Sequence, residues 1–194
     1  MKKLLFYLCM CFTTTNLFAQ VTWNTKGGLG VATCYGSDIK GSKTHFVGKI
    51  GVGFEYPLAS NWSLMPSLEL AWKGAKIENE TFKSTLDFFY LQVPAVSAYR
   101  VNISDSWNTT LKVGPYVGYA LSDHYELSDS SDKYSYKGSG SADINKFDVG
   151  LDAGIDFECH RFVFGLEAEM GFIKLDNNNN IKNLAFYATI GWKF

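Results

Sequence analysis

Eight times along this chain, apolar and non-apolar side chains alternate with a period of two, over 28–35, 46–56, 62–73, 89–101, 111–121, 147–157, 162–172 and 184–194. That period puts alternate residues on opposite faces of an extended strand, and helical spacing fits none of these segments better. In the sixth segment Phe147, Val149, Leu151, Ala153, Ile155 and Phe157 oppose Asp148, Gly150, Asp152, Gly154 and Asp156. The eighth sets Leu184, Phe186, Ala188, Ile190, Trp192 and Phe194 against Ala185, Tyr187, Thr189, Gly191 and Lys193. Several segments reach the roughly nine to eleven residues that a tilted strand needs to cross a bilayer.

Which face meets water decides what such strands build. The non-apolar face is full of glycine: Gly28, Gly30, Gly51, Gly53, Gly114, Gly118, Gly150, Gly154, Gly165, Gly171 and Gly191 lie on it, eleven of eighteen. Glycine weakens a strand interior, so a solvated exterior has no use for so much of it. A narrow barrel interior does, because small residues let the wall close around larger ones. The apolar face carries Tyr35, Trp72 and Tyr119 near one set of strand ends and Tyr56, Trp62, Tyr99 and Trp192 near the other. Two aromatic bands on an oily surface are what membrane interfaces select.

Composition closes off the alternatives. With 18 Lys+Arg against 19 Asp+Glu the net charge is -1, and no basic surplus points to nucleic acid. Aromatic residues make up 16%, against the aromatic-poor, highly charged signature of disorder. A mean hydropathy of -0.06 speaks against a bundle of membrane helices, while strand alternation dilutes a barrel's hydropathy and leaves that fold open. Residues 1–19 read as a cleaved secretory leader, with Lys2-Lys3 ahead of the short apolar run 4–12 and a cut after Ala19. Its removal takes the net charge from -1 to -3 and leaves two cysteines, Cys34 and Cys159, expected near opposite ends of the fold and unpaired.

The gaps between segments alternate in length: 36–44, 74–85, 122–145 and 175–183 are long, whereas 57–61, 102–107 and 158–160 are short. Outer-membrane barrels have long extracellular loops and short periplasmic turns. Residues 20–194 are therefore expected to form an eight-stranded antiparallel up-and-down transmembrane β-barrel, an all-β domain of the outer membrane.

Short motifs agree. Tyr90-Leu91-Gln92-Val93-Pro94 resembles the Tyr-Leu-Glu-Ile-Pro motif of the Bacteroidota outer membrane protein β-barrel domain, the PorT-like "porin family". Gly114-Pro115-Tyr116-Val117-Gly118-Tyr119, Phe147-Asp148-Val149-Gly150-Leu151-Asp152-Ala153-Gly154 and the closing Gly191-Trp192-Lys193-Phe194 are similar to the same family in order and spacing. The resemblance implies an outer-membrane location and an eight-stranded barrel, and no shared activity. The final Phe194 resembles the signal read by the outer-membrane barrel assembly machinery.

The inward parity carries the acids Glu55, Glu69, Asp148, Asp152, Asp156, Glu167 and Glu169 and the bases Lys49, Lys73, Arg100, Lys112 and Lys193. Eight strands leave a lumen that side chains just fill, and charges in a low-dielectric wall need partners. A structural ion-pair network is expected there. A narrow cation passage along Asp148, Asp152 and Asp156 is the alternative, because rings of acids select cations. A surface hydrolase is a distant third. It would use His45, or His124 beside Asp123, but no Gly-x-Ser-x-Gly nucleophile motif accompanies them. Three scattered histidines show no metal-ligand spacing, and neither metal nor cofactor is expected. In 122–145, Tyr125, Tyr134 and Tyr136 flank the turn-forming Ser128-Asp129-Ser130-Ser131-Asp132. Strands five and six are expected to rise there as a hairpin offering these tyrosines to an extracellular partner. Membrane lipid is the other expected partner, and a monomer the expected state.

Overall fold

A computed structural model describes residues 21–36, 42–78, 82–129, 135–138, 145–174 and 181–194; the expected leader lies outside them. Eight long strands follow one another: β1 Thr22–Tyr35, β2 His45–Pro57, β3 Trp62–Glu78, β4 Phe82–Asn102, β5 Trp107–Asp129, β6 Phe147–Cys159, β7 Phe162–Gly171 and β8 Lys182–Lys193. Each pairs antiparallel with its neighbours in sequence, and β8 returns to β1 through a ladder running from Asn24↔Lys193 to Tyr35↔Lys182. The sheet therefore closes and leaves no edge along the barrel wall, as a membrane-spanning sheet must. Two short strands add to it above: Ser42–Lys43 on β3 and Ser135–Gly138 on β5.

The oily parity faces outward. Leu29, Phe46, Ile50, Leu111, Val117, Leu166, Phe186 and Ile190 are exposed, while Lys49, Glu69, Asp148, Asp152, Glu167 and Glu169 are buried. A water-soluble barrel would show the reverse. Aromatic pairs band both ends: Trp23–Phe54, Trp62–Tyr99 and Phe162–Trp192 below, Trp72–Phe89 and Tyr119–Phe147 above. Tyr35, assigned by parity to the upper band, instead donates its hydroxyl to the Gly171 carbonyl (2.6 Å).

Two of the lower turns share one design. The amides of Leu58 and Ala59 both donate to the Trp62 carbonyl, and those of Ile103 and Ser104 both donate to the Trp107 carbonyl. The third is tighter, with Cys159 paired to Phe162 and His160 in the left-handed region at φ 56°. Cys34 and Cys159 are free thiols.

The in-strand prolines cause a different irregularity from the bulges that such residues often mark. Five of the eight wall ladders run without a break. The other three each lose two successive pairs, between Gly53↔Ser67 and Tyr56↔Leu64, between Pro66↔Ala95 and Glu69↔Gln92, and between Pro94↔Tyr116 and Ser97↔Val113, so that Pro66, Pro94 and Pro115 each fall in one gap while keeping their pairing on the other side. Register is identical on both sides of each gap. Proline lacks the donor a ladder needs, so the strands part locally and rejoin in step. The one register shift among the eight wall ladders lies at Phe89/Tyr90, at the upper rim.

The upper rim is lopsided. β3, β4 and β5 have 17, 21 and 23 residues, against 13, 10 and 12 for β6, β7 and β8. Much of 74–85, read from sequence as loop, is strand: pairing continues from Gly74↔Asp87 to Glu78↔Lys83. The expected hairpin exists between Tyr125↔Gly138 and Ser128↔Ser135, but β4 joins it from the other side as far as Phe82↔Asp129. The result is a protruding sheet several strands wide.

Candidate functional site

Two places concentrate chemistry: the charged lumen and the protruding sheet. In the lumen every inward charge comes from a strand whose small residues make room for it. A Cβ on Gly51 would stand 2.6 Å from Glu69 Cγ, and one on Gly150 would stand 2.6 Å from the Tyr116 ring.

The middle of the lumen is cross-braced. Glu167 on β7 takes Lys112 (2.7 Å) and Lys26 (3.1 Å), and pairs with Lys49 as well. Glu169 takes Lys49 (2.8 Å) and Lys73 (2.7 Å) and accepts from Gln92 (2.9 Å). Glu69 on β3 holds Lys26 at 2.7 Å, and Lys112 also meets Asp156 at 2.7 Å. Asp148 accepts from Tyr116 (3.0 Å), Asn183 (3.3 Å) and Lys73 (3.5 Å). Above this layer Tyr90, Tyr116 and Tyr187 are buried, and the ammonium groups of Lys49 and Lys73 sit 4.6 Å and 4.3 Å from the Tyr187 and Tyr116 rings. Cation–π contacts of this kind strengthen where water is displaced.

A separate cluster closes the lower mouth. Glu55 receives Arg100 (2.8 Å), Lys193 (2.8 Å) and the Ser63 hydroxyl (2.8 Å); Glu158 receives Lys193 (2.8 Å) and Thr110 (2.9 Å). A cavity of about 40 Å³ separates the two clusters, with Asp152, Asp156, Met65, Ser67 and Thr189 in its wall. Asp152 is the exception among the acids, with no ion pair or hydrogen bond within reach among the described residues although it is 3% exposed.

Carboxylate oxygens of Asp152, Glu167 and Glu169 lie within 4.8 Å of one another. Lys26, Lys49, Lys73 and Lys112 already occupy the places around them that a metal cation would take, so this cluster is a set of ion pairs and not a metal site. Of the acids along β6, Asp148 and Asp156 are likewise engaged. Parity ended the first segment at Gly28 and the sixth at Phe157, and so left out Lys26 and Glu158. Both strands run further, to Thr22 and Cys159.

On the protruding sheet, Tyr125 lies directly opposite Leu86 and Gly138, and Tyr136 opposite Leu127. Directly opposed residues share a face, so Leu86, Tyr125, Leu127 and Tyr136 hold positions on one side. Tyr134 lies outside the described residues. His45 contacts Asp87 at 2.9 Å. Asp123 is opposite Phe88 whereas His124 is opposite Asp87, so Asp123 and His124 fall on opposite faces.

Comparison with known proteins agrees with this geometry. The chain is similar to the crystal structure of Ail, the attachment invasion locus protein of Yersinia pestis, at 16% identity, covering 89% of this chain and 98% of that one with a TM-score of 0.50. Ail in complex with the heparin analogue sucrose octasulfate gives 18% identity, 90% and 99% coverage and a TM-score of 0.52. Neisserial surface protein A gives 11% identity, 89% and 97% coverage and a TM-score of 0.50. At such identities the likeness carries the fold. No curated protein matches in sequence. The profile of the outer membrane protein beta-barrel domain matches residues 18–177. With its wall closed, its oily side outward and that profile spanning most of its length, the chain belongs to the outer membrane protein beta-barrel domain family and resides in the outer membrane of a Gram-negative cell.

Proposed function

We propose that the protein is a plugged, non-catalytic barrel that anchors a recognition surface outside the cell. The observation that carries this is the contrast between its two halves. Salt bridges tie β1 to β3 and β7, β2 to β7, β3 to β7, and β2 to both β4 and β8, filling the tube. Meanwhile β3, β4 and β5 continue as a sheet beyond the wall that β6, β7 and β8 complete. Material goes where a barrel works, and here it goes into a platform.

The lumen network of Lys49, Glu55, Glu69, Lys73, Arg100, Lys112, Asp148, Asp156, Glu167, Glu169 and Lys193 holds the wall together, Asp152 stands beside it outside the ion pairs, and the face with Tyr125 and Tyr136 meets the extracellular partner. The separation of Asp123 from His124 supports a non-catalytic reading. The motif at Tyr90–Pro94 supports placement in the Bacteroidota, PorT-like branch. Membrane lipid surrounds a monomer, and Phe194, 67% exposed on the outer face, is the mark read by the barrel assembly machinery.

Planar-bilayer recording tests the plug. The refolded chain is expected to give no unitary conductance above baseline, and stable cation-selective steps would move the reading to a narrow pore. Deleting 126–135 is expected to leave heat-modifiable gel mobility intact while abolishing surface adhesion.

A further inference from the structure

Ion pairing fills the middle of the lumen without balancing its charge. Lys26, Lys49, Lys73 and Lys112 face six carboxylates, those of Glu69, Glu167, Glu169 and the three β6 aspartates. At the lower mouth Glu55 and Glu158 are matched by Arg100 and Lys193. Among the described residues the middle therefore carries an excess of negative charge, in a wall with lipid on its far side, where an unmatched charge is costly. Two groups mark where the excess lies. Asp152, 3% exposed, has no hydrogen-bonding or ionic partner among the described residues. Asp156 holds Lys112 through Oδ2 (2.7 Å), while its Oδ1 is buried without a hydrogen bond. Both aspartates stand in the wall of the cavity of about 40 Å³.

The strands build a cradle beside it. Asp156 on β6 and Thr189 on β8 each lie directly opposite Gly165 on β7. The bare glycine lets the two side chains lean together: Asp156 Oδ1 and Thr189 Oγ1 are each 2.4 Å from the point that a Gly165 Cβ would take. The Thr189 methyl lies on the other side, over Gly28, where a Cβ would stand 2.7 Å from it. Ser67 adds a hydroxyl to the cavity wall; its proton goes to Glu69 (2.6 Å), which leaves its lone pairs for a further partner.

We propose that this cavity binds a small, hard, monovalent cation, Na⁺ in class, between Asp152, Asp156, Thr189 and Ser67. Carboxylate and hydroxyl oxygens are the donors that hard cations take. The space admits an ion with one or two waters, at roughly 10–15 Å³ each. Ca²⁺ asks for about six to eight oxygens and Mg²⁺ for a strict octahedron. Lys26 and Lys112 in the same wall also repel a double charge more than a single one. The site is separate from the grouping of Asp152 with Glu167 and Glu169, whose oxygens are held by lysines and which do not line the cavity. Lys193 stands in the wall both of this cavity and of an open vestibule of about 320 Å³ at the lower mouth, so the ion enters from the periplasmic side.

Urea unfolding of the full mature chain in phosphatidylcholine vesicles, at fixed ionic strength, compares sodium chloride with choline chloride, whose cation is too large for the cavity. Sodium is expected to lower the unfolding constant at least about fivefold, the effect of a ligand at about four times its Kd. Asp152→Asn removes the unpartnered carboxylate, and Gly165→Ala puts a methyl between the two cradle oxygens. Each, checked by heat-modifiable mobility, is expected to erase the difference between the salts whatever it does to stability in choline. Ser104→Ala, in a lower turn, keeps that difference. Without any variant, the sodium NMR line is expected to be broader with the folded chain than with the urea-unfolded one. Equal stability of the wild type in the two salts, a sodium effect that survives in either variant, or equal linewidths for folded and unfolded chain overturns the proposal. A stability that follows pH and not sodium would assign the missing positive charge to protons and overturn it as well.

Discussion

At the scale of single residues, the lumen separates charges that hold the fold from charges that merely occupy it. Lys49 is 1% exposed and serves three carboxylates, Glu69, Glu167 and Glu169. Removing one partner of a buried pair leaves an uncompensated charge, a change that costs about 3–5 kcal/mol. Lys49→Ala is expected to lose that much in urea unfolding from lipid vesicles, and Glu167→Gln, which takes one carboxylate from Lys26, Lys49 and Lys112 together, at least as much. Asp152 is as deeply buried but faces the cavity without an ion pair, so Asp152→Asn is expected to stay within about 1 kcal/mol of wild type. Equal losses for Glu167→Gln and Asp152→Asn would mean that burial, and not pairing, sets the energetics. His45 and Asp87 are partly solvated, and their pair contributes about 0–1 kcal/mol.

At the scale of strands, the ladder gaps at Pro66, Pro94 and Pro115 lie on three consecutive strands, forming a stepped line where the wall is least tied. Hydrogen exchange in vesicles is expected to be faster at 54–55, 67–68 and 95–96 than at equal depth on β6 and β7, whose ladder is continuous from Gly150↔Gly171 to Cys159↔Phe162. Uniform protection would show that the gaps are closed by other partners. This seam also marks what a single sequence yields. Lipid enforces alternation, so every segment it touches was legible, from Leu29 on β1 to Ile190 on β8. Where lipid stops, the signal stops: 76–78 and 82–85 carry no apolar parity because both faces there are free of the bilayer, and they read as loop although they pair as strand. Lys26 and Glu158 sit at polar strand ends and were missed for the same reason. The approach of His45 to Asp87 depends on how strands lie against one another, which parity within one strand does not reveal.

At the scale of the whole molecule, an even number of strands puts both chain ends on one side. Thr22 begins β1 and Lys193 ends β8 at the rim that also holds the turns at 58–61, 103–106 and 160–161. Export across the inner membrane and insertion from within leave that rim in the periplasm, so the long sheet must face outward. Single cysteines report this directly. With Cys34 and Cys159 replaced by alanine, Ser128→Cys, near the top of β5, is expected to react with a membrane-impermeant maleimide in intact cells. Ser104→Cys, in a lower turn, is expected to react only after the outer membrane is opened. Labelling of Ser104→Cys in sealed cells would invert the molecule and point the protruding sheet, with its tyrosine face, into the periplasm, where a recognition surface would meet the cell wall instead of the outside world.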